Sequence, residues 1–245
     1  MSNAETGISR RYLKETRYAR RSMAEKSLAY PRSPLYKEYP NAAQRLSLNP
    51  ESGRRSADLW QAVAARRSQR DYLNRSLIQD ELAALLWATQ GITGAMGGYH
   101  FRASPSAGAL YPVETYLAVH RVEDMAPGIW HFQVLDFALE LVTAGDFRQP
   151  LVAAGLSQGF LGEAGVVFIW TGILNRARWK YRERAVRYLF LDAGHICQNL
   201  MLAATALNLG VCPVGAFFDE EVERIVGVNE AEEVALYLAA VGPLA

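Results

Sequence analysis

The chain has 245 residues, half of them apolar, with five Trp, twelve Tyr and a formal net charge of +1. That is enough material for a sizeable core in one or two domains. No window approaches the roughly 18 consecutive apolar residues of a membrane span, and the N-terminus lacks the apolar centre of a signal peptide. A soluble cytoplasmic protein without membrane contact is therefore expected.

The charge is unevenly placed, with 15 Lys+Arg against 6 Asp+Glu in residues 1–70 and the opposite bias beyond. Residues 1–56 read as a basic N-terminal arm, an early helix followed by an extended wrap punctuated by Pro31, Pro34, Pro40 and Pro50. Its clusters Arg10-Arg11, Arg20-Arg21 and Arg54-Arg55 lack a docking motif or an aromatic stacking set for nucleic acid, so a solvated or partner-wrapping arm is expected.

The globular body, 57–245, opens with "ADLWQAVAARRSQRDY", a short helix expected to bury Leu59, Trp60 and Val63 and to end in a basic turn. "SLIQDELAALLWATQG" is a clearer helix, with Ser76 and Gln79 spaced as a capping box and Gly91 as its stop. "GITGAMGGYHFRASPSAGALYP" is dense in Gly, Ser and Pro and reads as a long binding loop. "VETYLAVHRV" is a strand, "GIWHFQV" and "ALELV" a hairpin pair, and "GVVFIWTGIL" a strand buried on both faces. "DFRQPLVAAGLSQGF" is a weaker helix, broken early by Pro150. The strongest helix carries Val186, Leu189, Phe190, Ala193, Ile196, Cys197, Leu200, Met201, Ala204 and Leu207 at helical intervals and closes at Gly210. A last helix with Asp219 as N-cap candidate and a last strand, "VALYLAAVG", complete an α+β order without strict alternation.

Four features carry candidate chemistry. "RRSQR" gathers Arg66, Arg67, Ser68 and Arg70 at a helix-to-loop junction, where guanidinium forks suit a phosphate; taken alone, it reads either as an anion site or as a surface charge cluster. In "PSAGALYPVE" small residues let backbone amides approach a flat ligand, or simply make a tight turn. "CPVGAF" follows the long helix and contacts a ligand or merely turns the chain. The pair Lys180-Tyr181 stands ahead of that helix. "GITGAMGG" lacks the spacing of a dinucleotide or P-loop motif. Asp192, His195 and Asn199 share a helical face, but with one His they make a poor metal set and read as a hydrogen-bond network; no metal is expected. Ser106 with His195 and Asp192 does not match a nucleophile elbow. Cys197 and Cys212 read as reduced structural thiols.

Taken together, "RRSQR", "PSAGALYPVE", and "KY" before "RYLFLDAGHICQNLMLAATALNLGVCPVGAF" resemble the nitroreductase superfamily, specifically its SagB-type dehydrogenase branch, which includes azoline oxidases. The resemblance implies an α+β fold with a mainly antiparallel sheet flanked by helices, and a homodimer holding FMN at the subunit interface. It assigns Arg66, Arg67, Ser68 and Arg70 to the flavin phosphate, ribityl chain and pyrimidine edge. It lays Pro105, Ser106, Ala107 and Gly108 along the isoalloxazine, sets Gly215 and Ala216 near N5, and has Leu110 reach the neighbouring subunit's flavin. Lys180 and Tyr181 become the catalytic pair that removes a ring proton while hydride passes to the flavin, with a neighbouring ammonium and a helix N-terminus favouring phenolate.

One departure from the wider family is the C-terminus, "AAVGPLA", which lacks the basic phosphate contacts seen elsewhere and leaves that role to Arg66 and Arg67 with help from Arg187 or the arm. The expected activity is ping-pong hydride transfer on a small molecule or peptide, azoline-to-azole dehydrogenation within a biosynthetic complex being one candidate. The alternatives are a generic nitro or quinone reductase drawing on NAD(P)H as a transient donor, and a non-catalytic flavin-binding scaffold.

Overall fold

The computed structural model describes residues 7–18 and 30–244, so the Arg20-Arg21 cluster lies outside the described residues. In chain order the elements are α1 (Ile8–Glu15), β1 (Arg45–Ser47), α2 (Leu59–Ala65), α3 (Gln79–Gln90), β2 (Ile92–Met96), β3 (Tyr99–Arg102), β4 (Val113–Val119), β5 (Gly128–Gln133) and β6 (Ala138–Ala144). They continue with α4 (Arg148–Ala154), α5 (Phe160–Glu163), β7 (Val166–Ile173), α6 (Asn175–Tyr181), α7 (Ala185–Ala206), β8 (Leu209–Val214), α8 (Asp219–Val226) and β9 (Glu233–Pro243).

Seven strands form one sheet in the order β1-β6-β5-β4-β7-β9-β8, every neighbouring pair antiparallel. Central β7 is covered on both sides, and its alternation divides the core. Val166, Phe168 and Trp170 face the layer of α3 and α7 with Leu85, Leu200 and Met201, while Val167 and Ile169 face Leu151, Leu161 and Val222 of α4, α5 and α8. Each such fully buried aliphatic or aromatic side chain contributes about 1.5–3 kcal/mol. The expected α+β class with a mainly antiparallel sheet is what the chain adopts.

Several local expectations are corrected. The stretch expected to be wholly loop holds the two-stranded hairpin β2–β3, because Gly97 and Gly98, with φ of 58° and 81°, supply the two left-handed residues a tight hairpin turn requires. Pro150 sits in the first turn of α4 rather than breaking it, where its missing N–H would have had no intrahelical acceptor. Residue Ile78, not Ser76, caps α3, and Glu81 reaches back to accept from the Ile78 amide at 3.1 Å. Asp219 is the first residue of α8 and Phe218 its cap. Helix α7 ends at Ala206 with Leu207 as its C-cap and left-handed Asn208 turning the chain, so Gly210 already lies in β8. In α2 only Ala62 is buried; Leu59, Trp60 and Val63 are 57%, 77% and 49% exposed.

The described part of the arm is woven into the body. Strand β1 pairs with β6, and the segment before it crosses a buried polar network on the sheet. Lys37 Nζ donates to Glu233 Oε2 at 2.6 Å and to Tyr116 Oη at 2.7 Å, and the Tyr39 amide donates to Glu140 at 3.1 Å. Beneath them His131 lies between Glu114 (2.9 Å) and Glu140 (3.2 Å), with Arg176 paired to Glu114 from the other side. Burial pushes the Glu114 carboxyl up, but Arg176 and His131 outweigh it and hold it at about 2. Burial pushes His131 down, yet its two carboxylate partners raise it above its ordinary value.

These shifts fix a pH dependence. The His131 contribution is complete below its unfolded value of 6.5 and is lost as pH rises through its raised folded value. The Glu114 contribution is complete above 4.5 and is lost as pH falls towards about 2. Urea titrations should therefore give a declining unfolding free energy as pH rises above neutrality, and His131→Gln should flatten that limb. An unchanged alkaline slope in the variant would remove His131 as its source.

Candidate functional site

Helix α7 organises the small-residue loop from below. Asp192, buried on α7, accepts from Ser106 Oγ at 2.6 Å and from the Ala107 amide at 3.3 Å, and Ser106 Oγ in turn accepts from the Tyr111 amide at 2.9 Å. Two turns further on, Asn199 Nδ2 donates to the Ala88 carbonyl at 3.0 Å and to Ser104 Oγ at 3.1 Å. The loop 104–107 is thus pinned at two points seven residues apart on one helix face. Burial raises the Asp192 carboxyl against the opposing pull of its Ser106 and Ala107 hydrogen bonds. The serine binds the carboxylate directly with no imidazole between them, which is not a hydrolase relay. The sequence marked Asp192, His195 and Asn199 as a polar set on one face; in the structure His195 is exposed, and Asp192 and Asn199 turn to this loop, a partner the sequence could not show.

With the loop held, Pro105 and Gly108 are exposed and Gly108 adopts φ 65°. The tips of the Lys–Tyr pair meet it there: a Cβ on Gly108 would lie 2.5 Å from Tyr181 Oη and 2.6 Å from Lys180 Nζ. Lys180 Nζ also stands 5.4 Å from the centroid of the Tyr181 ring. The pair does not begin the long helix. It forms the last turn of α6, with a 3-10 turn over Arg182–Arg184 before α7. Tyr181 therefore sits at the carbonyl end of its own helix, where the dipole does not favour a negative charge, contrary to the expectation of a helix N-terminus; the neighbouring Lys180 ammonium is as expected.

Leu110, the residue expected to reach the neighbouring subunit's flavin, packs against Ala177, Ala185 and Leu189 of its own chain. An apolar side chain flanked by two alanines on adjacent helices finds its burial locally. It anchors the end of the loop beside the Lys–Tyr pair.

The arginine bend lies at another edge. Arg66 caps α2, and the Gln69 amide donates to the Val211 carbonyl at 3.0 Å, which lays the bend along β8. Arg67, Ser68 and Arg70 are exposed and Arg66 is half-buried. Arg67 donates to the Ala64 and Arg66 carbonyls, and Arg70 stands 5.6 Å from the Phe160 ring. None of the three guanidiniums is in an ion pair, which among the described residues leaves a cluster of positive charge with free donors. Gly215 and Ala216 follow directly from β8, and Gln158 Nε2 donates to the Ala216 carbonyl at 3.1 Å. The bend and the small-residue loop share no hydrogen bond within the chain. Helix α2, which leads into the bend, packs on α7, the helix that also holds the loop and that carries the exposed Phe190 and Leu191, 57% and 52% accessible.

The two cysteines are free and buried, and burial pushes both thiols up, Cys197 to about 12. Neither is a thiolate nucleophile.

A candidate nitroreductase of Methanocaldococcus jannaschii is 34% identical over 172 residues, 70% of this chain and 85% of that protein. The trifolitoxin-processing protein TfxB of Rhizobium leguminosarum bv. trifolii is 30% identical over 146 residues, and the microcin B17-processing protein McbC of Escherichia coli 27% over 134. These stretches cover 57% and 53% of this chain but only 39% and 49% of the two processing proteins. Among solved structures, a candidate nitroreductase from Anabaena variabilis superposes with a TM-score of 0.79 at 25% identity, over 96% of this chain and 46% of that one. The E. coli microcin synthetase McbBCD complex with truncated pro-MccB17 bound shares the fold at a TM-score of 0.63 and 18% identity, over 96% of this chain and 86% of the matched one. The nitroreductase family model matches residues 63–242, from the middle of α2 to the end of β9, and the chain belongs to the nitroreductase family.

Proposed function

We infer that residues 57–245 form an FMN-binding body of the SagB type, extended by the arm 1–56, that oxidises azoline rings in a peptide to azoles. The observation that carries this reading is the meeting of Lys180 Nζ and Tyr181 Oη over the exposed, left-handed Gly108. A flat ligand on that loop would have both groups within reach of its upper face.

The residues fit the cofactor in two respects. Arg66, Arg67 and Arg70 offer fork donors uncommitted to any carboxylate, as a phosphate-bearing tail needs, and the loop over 105–108 presents small residues and bare backbone to a ring. FMN held there supplies a two-electron acceptor for the hydride that leaves the substrate ring. The chain's own part is the accompanying proton, which Tyr181 Oη is placed to take, with the Lys180 ammonium beside it stabilising the phenolate. A ring that loses one hydrogen as hydride and one as proton gains a double bond, which is the change from azoline to azole.

A paired subunit is part of the reading. The exposed Leu59, Trp60 and Val63 on α2 and Phe190 and Leu191 on α7 are large apolar groups on two packed helices, and a second copy would cover them. That copy would also bring its loop to the first chain's arginine bend, which a single chain does not do. The TfxB and McbC likenesses support a peptide substrate and a place in a multi-protein biosynthetic assembly.

The test is spectroscopic. The purified protein should be yellow, a dimer by light scattering, and should release FMN on denaturation. Phe190→Glu should shift it to monomer and strip the flavin. A colourless dimer that FMN does not reconstitute would leave a scaffold instead. NAD(P)H bleaching of the bound flavin, if it occurs at a rate competitive with an azoline peptide, would favour a generic reductase.

A further inference from the structure

The back of the Lys–Tyr pair is closed by a group of residues that the reading above does not use. Tyr188, one turn into α7, packs edge-to-face on Tyr181, ring centroids 4.7 Å apart and planes at 61°. Its hydroxyl accepts from Arg184 Nε at 3.1 Å. Arg184 continues outward: Nη1 donates to the Thr16 carbonyl at 2.9 Å, and its guanidinium carbon lies 4.5 Å from the centroid of the Tyr18 ring. Tyr18 also hydrogen-bonds Tyr188. Thr16 is buried there and is the C-cap of α1, so the last carbonyls of the N-terminal helix end on a guanidinium, the favoured sign for a helix C-terminus.

Two elements far apart in sequence thus converge one aromatic ring behind the proposed base. An exposed surface helix with no buried residue of its own has little other reason to be held at this spot. Burial pushes the Tyr188 phenol up, but the hydrogen bonds from Arg184 and Tyr18 and the charges of Arg184 and Arg187 outweigh it and hold the group below its ordinary value. That balance suits a hydroxyl whose oxygen serves as an acceptor for two donors.

We propose that the N-terminal segment Ile8–Tyr18 is a working wall of the Lys180–Tyr181 site, with Arg184 and Tyr188 as positioning residues that fix the Tyr181 ring over Gly108. The segment sets Tyr188 through Arg184, and Tyr188 sets Tyr181. This rests on the reading of Tyr181 as the proton acceptor, and the experiment separates the two.

The full-length holoprotein is used, with a synthetic thiazoline-bearing peptide as probe and bleaching of the flavin band as the single-turnover readout. Arg184→Ala and Tyr18→Phe should each slow bleaching, about tenfold for Arg184→Ala, with flavin content and peptide KM unchanged. Tyr188→Phe keeps the ring stack and should lie between wild type and Arg184→Ala. In a Tyr181→Phe background the Arg184→Ala effect should vanish, because a positioning residue has nothing left to position. Should Arg184→Ala cost the same factor in both backgrounds, or none in the wild type, the proposal is overturned while the Lys–Tyr reading stands. Should Tyr181→Phe itself leave bleaching intact, the Lys–Tyr reading fails and takes the proposal with it. A loss of folding in Arg184→Ala would show in flavin content, and Tyr18→Phe, at a half-exposed surface position, then decides alone.

Discussion

Tyr181→Phe is expected to lower azoline oxidation by about 10²–10⁴-fold while the protein stays yellow and dimeric. The substitution deletes one oxygen, keeps the ring against Tyr188, and leaves the arginine bend untouched, so nothing that holds the flavin changes. Lys180→Ala should fall in the same range, since it withdraws the ammonium beside the phenol while sparing the exposed helix end on which it stands. Quinone reduction by chemically reduced enzyme needs no base and should be unaffected in both variants. Rapid-mixing absorbance with a thiazoline peptide, then with a quinone, measures the two halves separately. Equal loss in both halves would point to damaged flavin binding, and no loss in the first would remove the pair from the chemistry.

The second large effect falls on stability. Arg176 is 2% exposed and ties three parts of the chain together: it pairs with Glu114, donates through Nε to the Pro34 carbonyl at 2.5 Å, and donates through Nη1 to the Tyr111 carbonyl at 3.3 Å. Arg176→Met keeps much of the volume but leaves the buried Glu114 carboxylate with His131 as its remaining partner, and losing one side of a buried ion pair costs up to about 3–5 kcal/mol. A second change, Glu114→Gln, removes that under-compensated charge and should recover a large share. Urea midpoints for the single and double variants decide the matter; additive losses would mean that the pair is not coupled. Because Pro34 belongs to the arm and Tyr111 to the loop, the single variant should also loosen both, read as faster proteolysis ahead of Arg45.

Much of this architecture was legible in the residues. The run in β7 announced a strand covered twice, and the apolar spacing of α7 announced the buried face formed by Leu189, Ala193, Ile196, Cys197, Leu200, Met201 and Ala204, although it also counted Phe190, which is 57% exposed. Where the reading failed, the missing information was tertiary. The glycines at 97 and 98 signalled disorder of form but in fact make a hairpin, since a two-residue turn needs the same composition as a loop. Trp60 looked like core because burial is inferred from type, yet α2 turns its alanine inward and its large residues out. In the candidate site, the arginine bend and the small-residue loop were found by motif, whereas Arg176, Arg184 and Tyr188 gave no signal. Arg176 and Arg184 take their meaning from partners such as Tyr111 and Thr16, 65 and 168 positions away in the chain, and no local pattern encodes such a pairing.

The amide of Gln69 bonded to Val211 has a further implication. Strand β8 closes one side of the seven-stranded sheet, and an open rim of that kind invites a foreign strand to add on. The arginine-bearing bend occupies part of that rim, so the stretch read as the gripper of a phosphate is also a guard against self-templated aggregation. Under the proposed cofactor role, one short piece of backbone joins flavin affinity to resistance to aggregation, and a substitution that shifts its path, such as proline at 69, is expected to lower both together.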